Sequence, residues 1–319
     1  MNKVVVITGP TATGKTRLAV ELALKFGGEV VGADSMQIYR HMDIGTAKPT
    51  AEEMRGVVHH MIDVADPNEG YSVSRYVAEA SKAVDDILAR GKLPIIAGGT
   101  NLYIDSLLSG REFAPEPSGT GVREALSGEY DKFGGEEMHA RLAEKDPAAA
   151  ARIHPNDKKR IVRALEVLEL SGATISAHDE DTKKLPPRYD ACRIILDFAD
   201  RADLYSRIDS RVDEMVRLGL FDEVRSLVAM GVSETGTAMQ AIGYKEALCA
   251  VRGECSEQEA AEIIKRSSRR YAKRQLSWLR RDAEALRISW GSKPDFEEGL
   301  LRSTEFLEIN GIIVPSQNI

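Results

Sequence analysis

Cysteine is scarce: Cys192, Cys249 and Cys255 are the only three in 319 residues, and no two of them form a CxxC pair. That excludes a disulfide framework and a four-cysteine zinc site, and leaves three small hydrophobes. Aromatic residues make up only 6% of the chain, with two tryptophans. Long apolar runs are missing as well, none approaching the about 20 residues of a membrane-spanning helix. The amino terminus passes from Met1-Asn2-Lys3 directly into Val4-Val5-Val6-Ile7. It has neither the longer apolar region nor the small-residue cleavage site of an export signal, so a cytoplasmic protein without a membrane partner is expected. There is no excess of positive charge: 43 Lys+Arg face 50 Asp+Glu, a net charge of −7. Any site for a polyanion must therefore be a local concentration of cations.

What is present is ordinary globular composition, 43% hydrophobic and 29% charged. At roughly 150 residues per domain, the length suggests two domains, or one large core with an insertion. Over the first 110 residues, short apolar runs at 3–7, 29–33 and 93–97 alternate with helical patterns at 16–26 and 73–89. This is the signature of a parallel sheet flanked by helices. Each run ends in residues that chemistry can use, namely Thr8-Gly9, Asp34-Ser35 and Gly98-Gly99-Thr100. Ligands collect at the carboxyl ends of such strands. Turn residues at 114–121 and Lys183-Lys184-Leu185-Pro186-Pro187 bracket a helical stretch. The expected architecture is an α/β core made of residues 1–113 and 192–319, interrupted by a helical insertion at 114–191. After a strand around Ile194-Ile195-Leu196, long helices are expected to follow from Asp203.

Residues 9–16 read GPTATGKT, matching G-x-x-x-x-G-K-[ST] between a strand and a helix. In such a loop Gly9, Thr11, Ala12, Thr13 and Gly14 turn backbone N–H groups toward phosphate oxygens. Lys15 supplies a point charge, and the Thr16 hydroxyl is a candidate Mg²⁺ ligand. The loop does not say whose phosphates it holds, since an ATP γ-phosphate and an isoprenyl pyrophosphate look alike to it. Asp34, at the next strand end, suits proton acceptance from a nucleophile, or a turn cap. Ser35 and Gln37 add neutral groups of the kind that read base edges. Arg207 and Arg211, four apart, either close on the phosphates or form a solvated face with Asp209 and Asp213. The adjacent His59 and His60 diverge in direction and make no shared metal site.

Two stretches concentrate positive charge. Residues 263–281 carry eight Lys/Arg and no acid: Lys265, Arg266, Arg269, Arg270, Lys273, Arg274, Arg280 and Arg281. On a helix all eight fall in one half of the wheel, with Ile264, Tyr271, Trp278 and Leu279 in the other, which describes a helix docked by one face and basic on the other. Lys158, Lys159 and Arg160 open another helix against its macrodipole, with Arg163 one turn on, a placement that suggests a polyanion partner gripped through its phosphates.

Together GPTATGKT, DSMQIYRHMDIGTAKP, HHMIDV with the following YSVSRY, GGTNLYID, RIHPNDKKRIVRALEV, and RVDEMVRLGLFDEV with MQAIGYKE resemble the bacterial tRNA isopentenyltransferase (tRNA dimethylallyltransferase) family over nearly the whole chain. Asn101 stands where that family commonly has glycine. The resemblance implies transfer of a dimethylallyl group from dimethylallyl pyrophosphate to N6 of adenosine 37 in tRNA, with pyrophosphate released. It implies Mg²⁺ as cofactor, Asp34 as general base or at least as acceptor of the N6 hydrogen bond, and Thr100 as an aid to positioning the reacting centre. The anticodon stem-loop would then meet Asp34, Ser35, Met36, Gln37, Arg123, Lys158, Lys159, Arg160, Ile161, Val162, Arg163, Gln240, Lys265, Arg269, Arg270 and Lys273, on a chain expected to act as a monomer. Read from the residues alone, an ATP-dependent small-molecule kinase and a P-loop RNA-binding switch stay open beside this transferase.

Overall fold

The computed structural model describes residues 2–110, 113 and 121–313; the linker read at 114–120 lies outside them. The chain divides into two compact units, one of Met1–Leu108 with Arg188–Ile319 and one of Ser109–Pro187.

The first unit opens with β1 (Lys3–Thr8), α1 (Lys15–Phe26), β2 (Glu29–Gly32), α2 (Ala51–Met54), β3 (His59–His60), α3 (Val73–Ala89), β4 (Pro94–Gly98) and α4 (Asn101–Leu108). The second unit is helical: α5 (Val122–Phe133), α6 (Gly135–Lys145), α7 (Pro147–Ala150), α8 (Lys158–Ser171) and α9 (Ile175–Lys183). The chain then returns to the first unit with β5 (Asp190–Phe198), α10 (Arg201–Arg217), α11 (Leu220–Ala229), α12 (Tyr244–Val251), α13 (Glu257–Leu279), β6 (Leu286–Trp290) and α14 (Phe296–Ile309).

The sheet runs in the order β3-β2-β4-β1-β5-β6, and every ladder is parallel. Val4, Val5, Val6 and Ile7 of β1 are fully buried, as expected for a central strand covered on both faces. One apolar cluster gathers α3, α4, α11 and α12 around Val4, Val6 and Ile96, while another packs α1, α10 and α14 against Val5, Ile7 and Ile194. Successive β1 side chains thus feed opposite layers, which is what the two-residue period of a strand requires.

Two expectations change. Asp190 and Ala191, assigned to the insertion, pair with Lys3 and Val4 of β1 and belong to the core sheet. The run after Asp203 is not helical throughout, because Leu286–Trp290 adds the parallel edge strand β6 beside β5. Among the described residues, no helix is long and apolar enough to cross a membrane.

Candidate active site

The turn from β1 into α1 sits at the carboxyl end of the central strand. Its Ala12 has a φ of 66° and Gly14 one of 86°, the left-handed region that L-residues avoid. A Cβ on Gly14 would lie 2.6 Å from the Phe296 ring, so both the backbone angle and the packing demand glycine there. The N–H groups of Ala12, Thr13 and Gly14 have no acceptor among the described residues, whereas that of Thr11 donates to Gln275 Oε1 at 3.2 Å. Thr11 is thus corrected from an anion ligand to an anchor of the loop. Lys15 Nζ and Thr13 Oγ1 both donate to Pro10 O, at 2.8 and 2.9 Å. Burial, reinforced by the nearby Arg211 charge and opposed by Asp34, holds the Lys15 ammonium down at about 7. An anion entering the loop meets unpaired N–H groups and a lysine that titrates near neutrality.

Arg207 and Arg211 come from α10. Arg207 Nε donates to Ala12 O at 3.1 Å with its guanidinium 5.6 Å from the Phe198 ring centroid, and Arg211 Nη2 reaches Ala47 O at 3.5 Å. Burial holds Arg211 below its ordinary range, with Asp34 opposing the shift. Asp209 and Asp213 do not pair with these arginines. Two residues along a helix turn by about 200°, which aims the aspartates at α13, where Asp209 pairs with Arg269 and Asp213 with Lys265.

Asp34 follows β2. Its Oδ1 accepts from the N–H of Met36 at 2.9 Å and of Gln37 at 3.4 Å, while Oδ2 has no partner among the described residues. The capping role and the reactive role are therefore compatible, one per oxygen. Thr100 Oγ1 accepts from Ser35 N at 3.0 Å and stands 3.3 Å from Ser35 Oγ, and Thr100 N donates to Ala33 O at 3.1 Å. That hydroxyl joins the ends of β2 and β4 and fixes Ser35 beside Asp34. Gln37 Nε2 donates to Thr46 O and Ala47 O, at 3.2 and 3.1 Å. Asn101 is buried, and its Oδ1 accepts from Thr8 Oγ1 at 3.2 Å, a contact that glycine lacks.

Four residues of the site escaped the sequence reading. Gln275 Nε2 donates to Gly99 O at 2.8 Å while its Oε1 holds Thr11, so one amide ties the ends of β1 and β4; a Cβ on Gly99 would meet that nitrogen at 2.4 Å. Trp290 Nε1 donates to Thr13 O at 2.9 Å. Burial pushes the Tyr271 phenol up to about 12, with the Asp34 charge adding to the shift and contacts to Thr100 and Gln275 opposing it. Glu223 of α11 accepts from the N–H groups of Asp43, Ile44 and Gly45 at 2.8, 2.7 and 3.0 Å, and from Tyr244 Oη at 2.6 Å. Only Gln275 carried a signal, as an uncharged polar residue on the buried half of the basic helix.

The basic stripe divides. Arg269 pairs with Asp209, and Lys265 with Asp213 at 2.7 Å and Glu262 at 2.9 Å. Arg266, Arg270, Lys273, Arg274, Arg280 and Arg281 are exposed, without a carboxylate in ion-pair reach among the described residues. Lys265 and Arg269 are thus held in ion pairs by α10, and a phosphate reaching them would have to displace those carboxylates. Trp278, expected in the docked half, is 44% exposed. Gln240 is also exposed, its amide donating to Glu234 O at 2.9 Å. His59 Nδ1 lies 2.9 Å from Val57 O and His60 Nε2 lies 2.8 Å from Glu29. The described residues hold no group of three His, Cys, Asp or Glu suited to a metal ion.

In the helical unit, Ile161 and Val162 pack in the core with Leu126, Met138 and Leu142, so their side chains are corrected from ligand contacts to core residues. Arg123 and Arg163 converge on the buried Glu166. Lys158 pairs with Asp131 at 2.6 Å, and Arg160 with Asp157 at 3.4 Å. These carboxylates, with Asp157 accepting from Arg160 N as the cap, offset the unfavourable first-turn charges; Lys159 is exposed and has no such partner among the described residues.

Removing the Glu223 carboxylate leaves three N–H groups and a phenol without their acceptor, at about 1–3 kcal/mol for each one that stays buried. Glu223→Ala should therefore lower stability by about 2 kcal/mol or more and speed hydrogen exchange at Asp43, Ile44 and Gly45, with α1 unaffected. Parental protection of those three amides would show that the loop holds its shape without Glu223.

A family model described as IPP transferase matches residues 37–282. The tRNA dimethylallyltransferase of Acetivibrio thermocellus is 48% identical over 297 residues, covering 93% of this chain and 94% of that protein. That of Caldanaerobacter subterraneus subsp. tengcongensis is 49% identical over 279 residues, covering 87% and 89%. Among solved structures, the full-length tRNA isopentenylpyrophosphate transferase of Bacillus halodurans superposes with a TM-score of 0.72 at 40% identity, over 98% of this chain and 96% of that one. A eukaryotic dimethylallyltransferase described as acting on tRNA superposes at 0.82 with 29% identity, over 99% and 80%. A model spanning most of the sequence, and relatives of this identity and coverage, place the chain in the IPP transferase family.

Proposed function

We propose that this chain transfers a dimethylallyl group from dimethylallyl pyrophosphate to N6 of adenosine 37 in a tRNA anticodon loop. The observation that carries the reading is one juxtaposition in the sheet-bearing unit. A loop with unpaired N–H groups and Lys15, closed by Arg207 and Arg211, shares its electrostatic neighbourhood with a carboxylate that keeps one oxygen unpartnered. The first half suits a departing pyrophosphate, the second an attacking amine.

In the transfer, the bond between the allylic carbon and the pyrophosphate oxygen breaks, and that carbon bonds to N6. The leaving oxygen keeps the bonding electron pair, and N6 loses a proton. Asp34 Oδ2 is the group to take that proton, with Oδ1 held by Met36 and Gln37 so that the carboxylate keeps its orientation. Lys15, Arg207 and Arg211 meet the charge that grows on the leaving group, the term that dominates when the nucleophile is weak. An amine conjugated to a purine is such a nucleophile, so orientation also matters; Ser35, Gln37 and the Thr100 bridge set the walls against which the base would rest. Met36 and Gln240 join this RNA-facing set.

Mg²⁺ fits as an ion carried in by the pyrophosphate. With no carboxylate cluster to cage it among the described residues, its ligands would be phosphate oxygens, water and the Thr16 hydroxyl, as a hard and reluctantly dehydrated ion prefers. Bound there, it would neutralise charge on the leaving group. For the RNA, the reading assigns phosphate contacts to Arg270 and Lys273 of α13. In the helical unit it assigns them to Lys159 and to Lys158, Arg160, Arg163 and Arg123, and the carboxylate partners of the last four would exchange against phosphates. The cytoplasmic, monomeric state expected from the sequence belongs to the same proposal.

The deciding assay combines the protein with labelled dimethylallyl pyrophosphate, Mg²⁺ and bulk tRNA, and follows label into RNA. Transfer without ATP supports the reading, and ATP-dependent phosphorylation of a small molecule replaces it with a kinase. Asp34→Ala should lower kcat by on the order of 10²–10⁴-fold while donor affinity stays near parental, because a positioned base contributes about that much and holds no phosphate. Parental turnover in that variant removes Asp34 from the mechanism.

Lys15 adds a pH dependence. In the free protein it titrates at about 7, and a bound pyrophosphate favours the charged form and raises that value. Between the two values the free protein is deprotonated and the complex protonated, so binding takes up one proton and donor affinity falls by up to about tenfold per pH unit. Calorimetry above about pH 7.5, where the phosphate is largely ionised, should show this uptake in buffers of differing ionisation enthalpy. Lys15→Met should abolish it, and equal proton uptake in parent and variant would assign the proton elsewhere.

A further inference from the structure

Beyond the reacting centre, α13 carries a feature that the transfer chemistry does not use. Trp278 is 44% exposed, although an indole is among the side chains that gain most from burial. It is also held: Nε1 donates to Asp105 Oδ2 of α4 at 2.6 Å, which fixes the ring while leaving part of its surface in solvent. Arg274 lies four residues before it and Arg281 three after, on the same side of the helix. Lys273, Arg274, Ser277, Trp278 and Arg281 line one open concavity of about 290 Å³. No carboxylate of the described residues pairs with these three cations, in contrast to Lys265 and Arg269 earlier on the same helix.

The next concavity, about 500 Å³, is different in character. Asp105, Asp282 and Glu284 join Trp278 there, and Arg193 is tied between Asp105 and Asp282 at 2.9 and 3.1 Å. Its three carboxylates face only Arg193 and Arg281, so it is the less cationic of the two concavities. The helix also connects the platform to the site, since Gln275, three residues before Trp278, grips both Thr11 and Gly99.

We propose that Trp278 is a stacking platform for an unpaired base of the RNA strand near the reacting adenosine, with Lys273, Arg274 and Arg281 holding the adjoining phosphates. This rests on the RNA-transferase reading. An aromatic face beside a cationic track is the arrangement by which proteins hold single-stranded nucleic acid with little sequence preference, and a tethered ring loses less freedom on binding than a loose one.

The test uses the full chain and tRNA, with binding measured over a range of salt concentrations and prenyl transfer assayed in parallel. Trp278→Ala should weaken tRNA binding by about tenfold with the slope of log affinity against log salt unchanged, because a stacked base releases no counterion. Arg274→Ala with Arg281→Ala should instead flatten the slope by ~0.7 per lost single-strand phosphate. Trp278→Phe, which keeps an aromatic face, should retain most of the affinity and guards against misfolding of the alanine variant. Trp290 is only 2% exposed, so quenching of the parent's tryptophan fluorescence by RNA should come from Trp278 and vanish in Trp278→Phe. If the parent transfers the prenyl group while RNA leaves its fluorescence unchanged and Trp278→Ala binds with parental affinity, the platform is overturned and the transferase reading stands. If the parent binds tRNA in no condition and transfers nothing, both fall.

Discussion

A loop that turns its N–H groups toward an anion must turn its carbonyls away from it, and those carbonyls need donors of their own. This constraint organises the sheet-bearing unit. Pro10 O takes Lys15 Nζ and Thr13 Oγ1, Ala12 O takes Arg207 Nε, and Thr13 O takes Trp290 Nε1. The donors come from α1, α10 and β6, so elements far apart in sequence converge on four residues of backbone. Gln275 of α13 adds the opposite polarity by accepting from Thr11 N. The left-handed angle at Ala12 is held by this bracing, whereas Gly14 adopts its own without a Cβ penalty, and the order of the sheet brings the donors within reach. β5 and β6 lie beyond β1 on one side so that α10 and Trp290 reach the loop, and β4 and β2 lie on the other to bring Thr100 and Asp34 to the same edge.

α10 shows how one helix serves two neighbours with opposite charges. Arg207 and Arg211 face the loop and the 46–47 turn, while Asp209 and Asp213, about 200° round the axis, neutralise Arg269 and Lys265 of α13. This places two fixed cations beside the candidate leaving group and clamps α13 against the core, which in turn sets Gln275 and Tyr271. The electrostatics of the phosphate site and the seating of α13 are thus two outcomes of one four-residue spacing.

What was legible in the sequence follows from how local the signal is. The ends of β1, α1 and α3 stand out because glycine, the GKT motif and apolar spacing act within a few residues, and the phosphate loop is legible for the same reason. β3 is only two residues long, and β6 follows directly on a strongly basic helix, so neither supplies enough period-two pattern to be seen. The roles of α10 needed the structure, because a helical wheel offers Arg207 and Asp209 equally and only the neighbouring element decides between them. Glu223 could not be found from sequence, as three of its four partners are backbone N–H groups about 180 residues away. Ile161 and Val162 were misread because a family's contact block spans all sides of a helix, whereas only one side faces solvent.

The same reasoning reconciles a net charge of −7 with a polyanion substrate. Counting cations along a stretch overstates its field wherever a neighbouring element supplies carboxylates, as α10 does at Lys265 and Arg269, and as Glu166 and Asp131 do within the helical unit. A fully paired cation exerts little pull beyond the about 8–10 Å over which salt screens it. Among the described residues the cations left unpaired on and just after α13 are Arg266, Arg270, Lys273, Arg274, Arg280 and Arg281, and these carry its local positive field. Carboxylates elsewhere keep the chain acidic and discourage nonspecific adhesion to nucleic acid. On α13 the unpaired cations share one face of a helix whose buried side grips the phosphate loop through Gln275, so under the proposed function RNA held there and the reacting centre would be coupled through one rigid element.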